Sequence, residues 1–190
     1  MELVLEGQIE RFDELVNRHR APLLRAAVSK MRDQASAEDV VQDTFLAAFA
    51  RRKTFNPEYS FRGWLWTIGL NTAKTHLVRE RRRSQRLIEV ASTIPEQVSK
   101  ETGLGVLLQN ERSEVLAQML AQIPEAEADA LRMRFFGELQ FNEIAHAMAI
   151  SLNGARKRVR RGLERLTALL SEYEGSLSEH EDSCFDGEAS

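Results

Sequence analysis

Aromatic and arginine side chains are concentrated in one stretch of the chain, residues 60–86. The stretch begins with Phe61, Trp64 and Trp66, which include both tryptophans of the chain. It ends with a cluster of arginines: Arg79, Arg81, Arg82, Arg83 and Arg86. Aromatic rings stack on unpaired bases, and guanidinium groups neutralise phosphates. The composition therefore predicts a surface that holds DNA while its strands are separated.

Polar residues in and before this stretch are able to contact bases and phosphates. The loop at residues 51–59 alternates basic and aromatic residues and could hold an extruded base. In the helix expected next, Trp66, Ala73 and Leu77 lie on an apolar stripe with a polar stripe beside it. The predicted DNA contacts are Lys53, Phe55, Asn56, Tyr59, Ser60, Asn71, Lys74, Thr75, Arg79 and Arg82.

Each of these assignments has a structural alternative. Large aromatic residues at helical spacing more often belong to the core than to a stacking surface, so we expect Trp64 and Trp66 to be packed inside. The arginines could form an ordinary solvated face.

A second basic segment, residues 141–166, has the pattern of a helix-turn-helix. A short helix and a tight turn at Ala149 and Ile150 precede Ser151, the predicted N-cap of a longer helix. One face of that helix is expected to be buried: Ala155, Val159, Gly162, Leu163, Leu166 and Leu170. The other faces carry the predicted major-groove contacts, which are Asn153, Arg156, Lys157, Arg160 and Arg161. The alternative is a solvated basic face on an ordinary helical hairpin.

An acidic helix precedes the aromatic stretch. Glu38 and Gln42 are four residues apart, as are Asp39 and Asp43, so all four line its exposed side. Phosphates repel such a face, whereas a basic protein surface would be attracted to it. Taken alone, the pattern also fits a solvated helix start that the helix dipole favours.

Helical periodicity dominates the chain of 190 residues, so the predicted fold class is all-α. We expect two small helical domains, residues 1–90 and 113–170, joined by a flexible linker at residues 91–112. The first domain should begin with separate helices, one around Phe12 and the next entered at Pro22, before a helix capped by Ser36. Residues 171–190 carry seven acidic and no basic side chains, and we expect them to be disordered.

Composition excludes several classes of protein. The single cysteine, Cys184, excludes internal disulfides, and with His180 it offers too few ligands for structural zinc. No glycine-rich phosphate loop, HExxH pair or nucleophile elbow is present, so neither an enzyme nor a bound metal or cofactor is predicted. The sequence shows no signal peptide or membrane span, which predicts a cytoplasmic protein. The acidic residues 171–190 could shield the basic helices by mimicking DNA.

Together the segments resemble the extracytoplasmic-function group of bacterial sigma factors, the promoter-recognition subunits of RNA polymerase. AEDVVQDTFLAAF (residues 37–49) is similar to the polymerase-binding helix of region 2 in that family. SFRGWLWTIGLNTAK (residues 60–74) is similar to the segment that melts and recognises the −10 element. Residues 123–166 resemble region 4, which recognises the −35 element.

The resemblance implies a role for each predicted surface in an alternative sigma factor of the stress-response type. Glu38, Asp39, Gln42 and Asp43 would dock on the clamp helices of the largest polymerase subunit, and region 4 would contact the flap. Asn71 and residues 53–60 would capture a flipped base, and the basic residues after Ser151 would enter the −35 major groove. Residues 84–112 would thread the RNA-exit path. An anti-sigma factor is an implied partner.

Three residues depart from the family pattern and leave the promoter sequence open. Thr75 stands where aspartate is frequent, Gly154 where threonine is frequent, and Ala149 where glycine is usual. Two other functions compete with the sigma factor: a free-standing helix-turn-helix regulator, and a sigma-like decoy for an anti-sigma factor. The regulator leaves the acidic and aromatic helices without a purpose, and the decoy does not need its DNA-facing cations.

Overall fold

The computed structural model describes residues 1–31, 33–90 and 104–185. Every regular element in these ranges is helical, which confirms the all-α prediction. The helices are α1 (Glu2–Leu5), α2 (Arg11–Met31), α3 (Gln34–Ala50), α4 (Phe61–Val90), α5 (Leu104–Gln122), α6 (Glu125–Leu131), α7 (Phe141–Ala147) and α8 (Leu152–Phe185). A 3₁₀ turn at Arg52–Thr54 and a π-helical turn at Arg132–Phe136 complete the set. Within the described ranges, no helix is both long and apolar enough to span a bilayer.

Helices α2, α3 and α4 form a bundle around aromatic and small aliphatic residues. Trp66 on α4 is only 2% exposed, and Phe12 on α2 meets Phe45 and Phe49 of α3 edge-on, with ring centroids 6.4 and 5.2 Å apart. A Cβ on Gly69 of α4 would lie 3.1 Å from the Leu23 side chain, so this glycine allows the close approach of α2 and α4.

Two predicted helix boundaries in this bundle are wrong. Pro22 lies inside one continuous helix, α2, instead of starting a second one. A proline removes one backbone hydrogen bond, and the buried apolar face on both sides of it outweighs that loss. The cap of α3 is Asp33, whose carboxylate accepts a hydrogen bond from the Ser36 N–H at 2.7 Å. Ser36 is therefore in the first turn, and its hydroxyl donates to Glu80 at 2.8 Å.

The C-terminal helices contain the predicted helix-turn-helix. Helix α7 begins with a reciprocal capping box between Gln140 and Glu143. The turn places Ala149 at φ 52°, a conformation that costs alanine about 1 kcal/mol relative to glycine. Ser151 then caps α8, because its hydroxyl accepts from the Gly154 N–H at 3.1 Å, as predicted.

Helix α8 corrects two expectations. It continues to Phe185, so residues 171–185 are helical in this structure rather than disordered, while 186–190 lie outside the described residues. Ala155, Val159 and Gly162 are buried as predicted, but Leu163 and Leu170 are each 39% exposed and Leu166 is half-buried. The helix extends beyond the body that it packs on, so its apolar stripe is only partly covered after Gly162.

The predicted linker falls mainly on residues 91–103, which lie outside the described residues. Its last part belongs to α5, which begins at Leu104 rather than at the expected Ser113.

The two sets of helices, here called the N-terminal half (residues 1–90) and the C-terminal half (residues 104–185), share one hydrophobic core. Trp66 marks their contact, because a Cβ on Gly137 would lie 2.6 Å from its indole ring. The absence of a side chain at Gly137 thus lets the C-terminal half close on α4.

Candidate polymerase and promoter interface

The acidic face of α3 is exposed as predicted. Glu38, Asp39, Gln42 and Asp43 all face outward, while Val40, Val41 and Thr44 on the opposite side are buried. The buried Thr44 hydroxyl has a hydrogen-bond partner, because it donates to the Val40 carbonyl at 2.6 Å. The helix therefore presents a carboxylate row on a rigid support.

An apolar groove of about 460 Å³ lies beside this acidic face, between α2 and α3. Its walls are Phe12, Val16, Val41, Phe45, Leu46 and Phe49, with Glu38, Gln42 and Arg20 at its edges. Leu46, on the wall of this groove, is 61% exposed. An apolar strip edged by carboxylates is the composition of a protein-binding face.

The loop before α4 places most predicted base contacts at the surface. Lys53, Asn56, Tyr59 and Ser60 are exposed, and the Asn56 carboxamide accepts from the Glu58 N–H at 3.0 Å, which fixes the turn. Phe55 is a correction, because it is 8% exposed and sits among α4 aromatics.

Phe55 is held by edge-on packing. Its ring centroid lies 5.9 Å from that of Phe61 and 5.4 Å from that of Trp64. The ring anchors the loop to α4 and is not available to a base.

Helix α4 has one side that packs into the core and another that is polar and exposed. Trp66 and Ala73 are buried, whereas Asn71, Lys74, Thr75, Arg79 and Arg82 are all exposed. The tryptophans therefore pack as expected and do not form a stacking surface. Trp66 is in the core, and Trp64 is half-buried in the aromatic cluster.

A groove of about 300 Å³ joins the polar side of α4 to the acidic helix α3. Asn71, Thr75 and Arg79 line it together with His76, whose Nε2 lies 2.8 Å from the Asp43 carboxylate. Sequence reasoning missed His76. Its spacing from Asn71 gave no signal of a partner on another helix.

Helix α8 exposes all five predicted −35 contacts: Asn153, Arg156, Lys157, Arg160 and Arg161. The Arg156 guanidinium lies 6.0 Å from the Phe141 ring centroid, and Arg160 pairs with Glu164 at 3.5 Å in a solvent-exposed contact. Gly162 packs against α6, where a Cβ would lie 2.9 Å from Leu131. The buried side thus fixes the helix while its basic side remains open.

The loop before α4 also contacts α7 of the C-terminal half. The Tyr59 ring stacks on the His146 imidazole, with centroids 4.2 Å apart and planes 11° apart. Beside this stack, Arg62 pairs with Glu143 at 3.2 Å. A cleft of about 320 Å³ lies between these residues.

The Glu143 carboxylate accepts hydrogen bonds from both halves of the chain at this cleft. It closes the α7 capping box by accepting the Gln140 N–H at 2.7 Å, and it accepts from Arg62 of the other half. Burial acts to raise the pKa of its carboxyl, but hydrogen bonds from Ser60 and Gln140, with the charge of Arg62, outweigh burial and lower that pKa.

A buried ionic cluster joins the halves at their other end. Lys30 of α2 contacts Asp129 at 2.8 Å and Glu125 at 3.0 Å. Arg132 donates to the Ser29 hydroxyl at 2.9 Å and carbonyl at 3.0 Å, and to Asp129 at 3.0 Å. The Lys30 and Arg132 side chains are 6% and 5% exposed. Burial lowers the pKa of Arg132, against the opposing effect of Asp129.

Sequence reasoning did not find these contacts between the halves. The paired residues are about a hundred positions apart, as in Lys30 and Asp129, and each alone looks like an ordinary helix surface charge. The available signal was that Lys30 and Arg132 both fall among apolar neighbours at core spacing.

Two family models match the chain. A family model for sigma-70 region 2 matches residues 15–83, and one for sigma-70 region 4 matches residues 119–168. The first match spans α3, the loop and most of α4, and the second spans the helix-turn-helix. The three surfaces described above, on α3, on the loop with α4, and on α8, therefore all fall within the matched regions.

Curated relatives match nearly the whole chain. The sigma factor CarQ of Myxococcus xanthus is 30% identical over 92% of this chain and 97% of its own length. The sigma-H factor of Pseudomonas aeruginosa is 29% identical, covering 90% and 91%.

A solved structure of CnrH in complex with the cytosolic domain of CnrY aligns with a TM-score of 0.66, at 25% identity over 88% of this chain and 92% of that one. RpoE in complex with the anti-sigma factor NepR from Bartonella quintana aligns with a TM-score of 0.62 at 22% identity, covering 85% and 98%, and shows the same fold. With regions 2 and 4 in order and homologues over nearly its full length, the chain belongs to the extracytoplasmic-function group of sigma-70 factors and is an alternative sigma factor of RNA polymerase.

Proposed function

We propose that three exposed surfaces divide the work of this sigma factor. The acidic face of α3 docks on the clamp helices of core polymerase. The loop at residues 53–60 and the polar side of α4 hold the separated −10 element. The start of α8 enters the major groove of the −35 element, while the C-terminal half contacts the flap.

The observation that carries this division is the sidedness of the helices. On α3, α4 and α8 alike, the predicted contacts are exposed while the opposite residues are buried, with Phe55 the one predicted contact that lies inside. The chain acts by binding and positioning, without a catalytic group of its own. Its place of action is that of the polymerase, the cytoplasm.

The polymerase face combines charge and apolar area. The carboxylates of α3 would steer the chain towards a basic surface, and the groove at Leu46 would supply the buried area that holds it there. We expect Asp39→Arg and Leu46→Arg each to weaken binding to core polymerase by at least about tenfold, which corresponds to 1.4 kcal/mol. Glu114→Arg, a reversal at an exposed site on α5, is the matched control.

Promoter contacts are tested by transcription from genomic fragments with purified core polymerase. The wild-type chain should direct initiation from specific promoters, and the mapped start sites give their sequence. Asn71→Ala should relax the preference at one −10 base, whereas Asn17→Ala, an exposed asparagine on α2, should not. If no promoter is used, and Asp39→Arg still binds polymerase normally, the proposal fails.

The −35 contacts have a separate signature. Removing a phosphate contact weakens binding evenly across sequences and lowers its salt dependence, whereas removing a base contact relaxes specificity. We expect Lys157→Ala or Arg160→Ala to show one of these two patterns in holoenzyme footprints. Glu172→Ala, further along the same helix, should show neither.

We also propose a protein inhibitor of the anti-sigma type as a partner. Support comes from CnrH, which was solved with the cytosolic domain of CnrY and shares the fold over most of both chains. The groove at Leu46 offers such a partner the same apolar area that it offers the polymerase. A co-purified inhibitor should therefore lose affinity in Leu46→Arg and compete with core polymerase for the wild-type chain.

A further inference from the structure

We propose that the groove where α4 meets α5 and α6 binds a nucleotide, with its phosphate on Lys74 and Arg81 and its base on the apolar wall beside them. This groove has a volume of about 460 Å³ and is called the α4–α5 groove. It is separate from the promoter and polymerase surfaces proposed above.

Helix α4 has two polar stripes, and they face different grooves. Asn71, Thr75 and Arg79 line the groove that α4 forms with α3. Lys74 and Arg81 line the α4–α5 groove instead. At 3.6 residues per turn, the two stripes lie about 90° apart around the helix. The cations of the second stripe therefore face away from the groove that contains Asn71.

The α4–α5 groove has two cations without an ion-pair partner. Lys30 and Arg132 also line it, but carboxylates of α6 neutralise both. Lys74 and Arg81 are exposed, and neither forms an ion pair or a hydrogen bond within the part of the chain that the structure describes. A hydrogen bond from Lys30 and the nearby charges of Lys74 and Arg81 lower the pKa of Glu125, so the groove attracts negative charge. The two cations of α4 balance a phosphate monoester, which carries about −1.5 to −2 at pH 7.

An apolar wall lies between and beside these two cations. Val78 separates them on the same stripe of α4 and is 40% exposed. Leu77 of α4 lines the groove as well, opposite Leu120, Ala121 and Ile123 of the C-terminal half. This wall offers an aromatic ring contact area but offers few hydrogen bonds to the hydroxyl groups of a sugar. A ligand with a phosphate at one end and a base at the other fits both parts of the groove.

The other source of phosphate for these cations is a DNA backbone, and the groove suits it less well. Glu125, whose side chain is 59% exposed, lies beside Lys74 and Arg81 and would repel a continuous row of phosphates. A single terminal phosphate needs only the α4 side of the groove. The volume of the groove and its place between two parts of the chain are also typical of small-molecule sites.

Calorimetric titration of the full-length chain with AMP, GMP, CMP and UMP tests the proposal. We expect at least one of them to bind with a Kd below about 1 mM. It should bind at least about tenfold more tightly than ribose 5-phosphate, which lacks the base, and than its own nucleoside, which lacks the phosphate. Failure of all four nucleotides to bind would overturn the proposal, as would ribose 5-phosphate that binds equally well.

Arg81→Ala and Arg79→Ala are a matched pair, because each removes one exposed arginine from a different stripe of α4. Arg81→Ala should weaken nucleotide binding by at least about tenfold, whereas Arg79→Ala should not change it. The bound nucleotide should raise the midpoint of thermal unfolding of the wild-type chain and of Arg79→Ala, but not of Arg81→Ala. Equal losses of nucleotide binding in the two variants would contradict a site in this groove.

The same two variants separate a nucleotide from a DNA backbone. Open-complex formation with core polymerase is measured at a mapped promoter by permanganate footprinting, with no nucleotide added. Arg81→Ala should open the promoter as the wild-type chain does, whereas Arg79→Ala should open it less. A loss in Arg81→Ala as large as that in Arg79→Ala would assign both arginines to the DNA backbone and overturn the proposal. Normal opening by Arg79→Ala would instead contradict the −10 surface proposed above and leave the nucleotide site standing.

Discussion

At the Ser29 end of the contact between the halves, charged side chains are buried and multiply bonded, whereas at the Tyr59 end they are partly open to water. Lys30 and Arg132 are about 95% covered, while Arg62 keeps 32% of its side chain exposed. Buried charges cost several kcal/mol when a partner is lost, but exposed pairs contribute about 0–1 kcal/mol. The first end therefore contributes more to the stability of the contact between the halves than the second does.

The largest effect is expected at the buried end. Arg132→Met leaves the Ser29 carbonyl without this donor and removes one of the two cations that pair with Asp129, and should lower the free energy of unfolding by about 3–5 kcal/mol. Urea denaturation followed by circular dichroism measures it. Arg160→Met, at an arginine whose side chain is 71% exposed, should change stability by less than about 0.5 kcal/mol. Similar losses of unfolding free energy in both variants would contradict the larger contribution assigned to the buried end.

Alanine substitutions at two glycines near the contact between the halves should change the free energy of unfolding in opposite directions. Gly137→Ala places a Cβ 2.6 Å from Trp66 and 2.7 Å from Leu139, and such overpacking costs about 1–3 kcal/mol. Gly63→Ala meets Glu143 at an ordinary 3.6 Å within α4, and should be neutral or stabilise by up to about 1 kcal/mol. Thermal unfolding of both variants tests the pair. A tolerated Gly137→Ala would mean that the halves do not close on Trp66 as described.

Acid should weaken both ends. The hydrogen bond and charge of Lys30 lower the pKa of Glu125, and the pKa of Glu143 is also below the ordinary 4.5. Since the unfolded chain takes up these protons first, the stabilisation is complete above pH 4.5 and is lost as pH falls through the lower folded values. Urea titrations between about pH 6 and 3 should show this decline, with a shallower slope in Glu125→Gln. An unchanged slope in that variant would contradict the shift.

The smallest stability effect is expected at the open end. Glu143→Gln keeps the capping geometry and loses one partly buried ion pair, so it should cost about 1 kcal/mol in urea denaturation, well below the cost of Arg132→Met. A loss as large as that of Arg132→Met would place the Tyr59 end among the structural contacts.

The fold class and the outward-facing residues of α3, α4 and α8 could be predicted because helical period alone sorts their faces. Local interactions also specified Ser151 as a cap and Ala149 as a strained turn residue. Pro22 misled the prediction, since proline within a long buried helix costs less than the packing that surrounds it.

The contacts between the halves were not predictable in this way. Lys30 and Asp129 meet only in three dimensions, and neither Glu143 nor His146 differs in sequence from a surface residue of a short helix. Phe55 was misplaced for a related reason, because a loop aromatic can face water or a neighbouring helix with the same sequence signal.

The π-helical turn at Arg132–Phe136 sets the rotation of the helices that follow it relative to α6. A wider turn lets Arg132 and Met133 both be buried, at 4% and 0% exposure, while Phe135 is 58% exposed. Removing one residue would restore an α-helical pitch and rotate everything after it by about 100°. Gly137 would then turn away from Trp66, and Glu143 away from Arg62. The angular offset of this single turn therefore sets the register in which the helix-turn-helix meets the rest of the sigma factor.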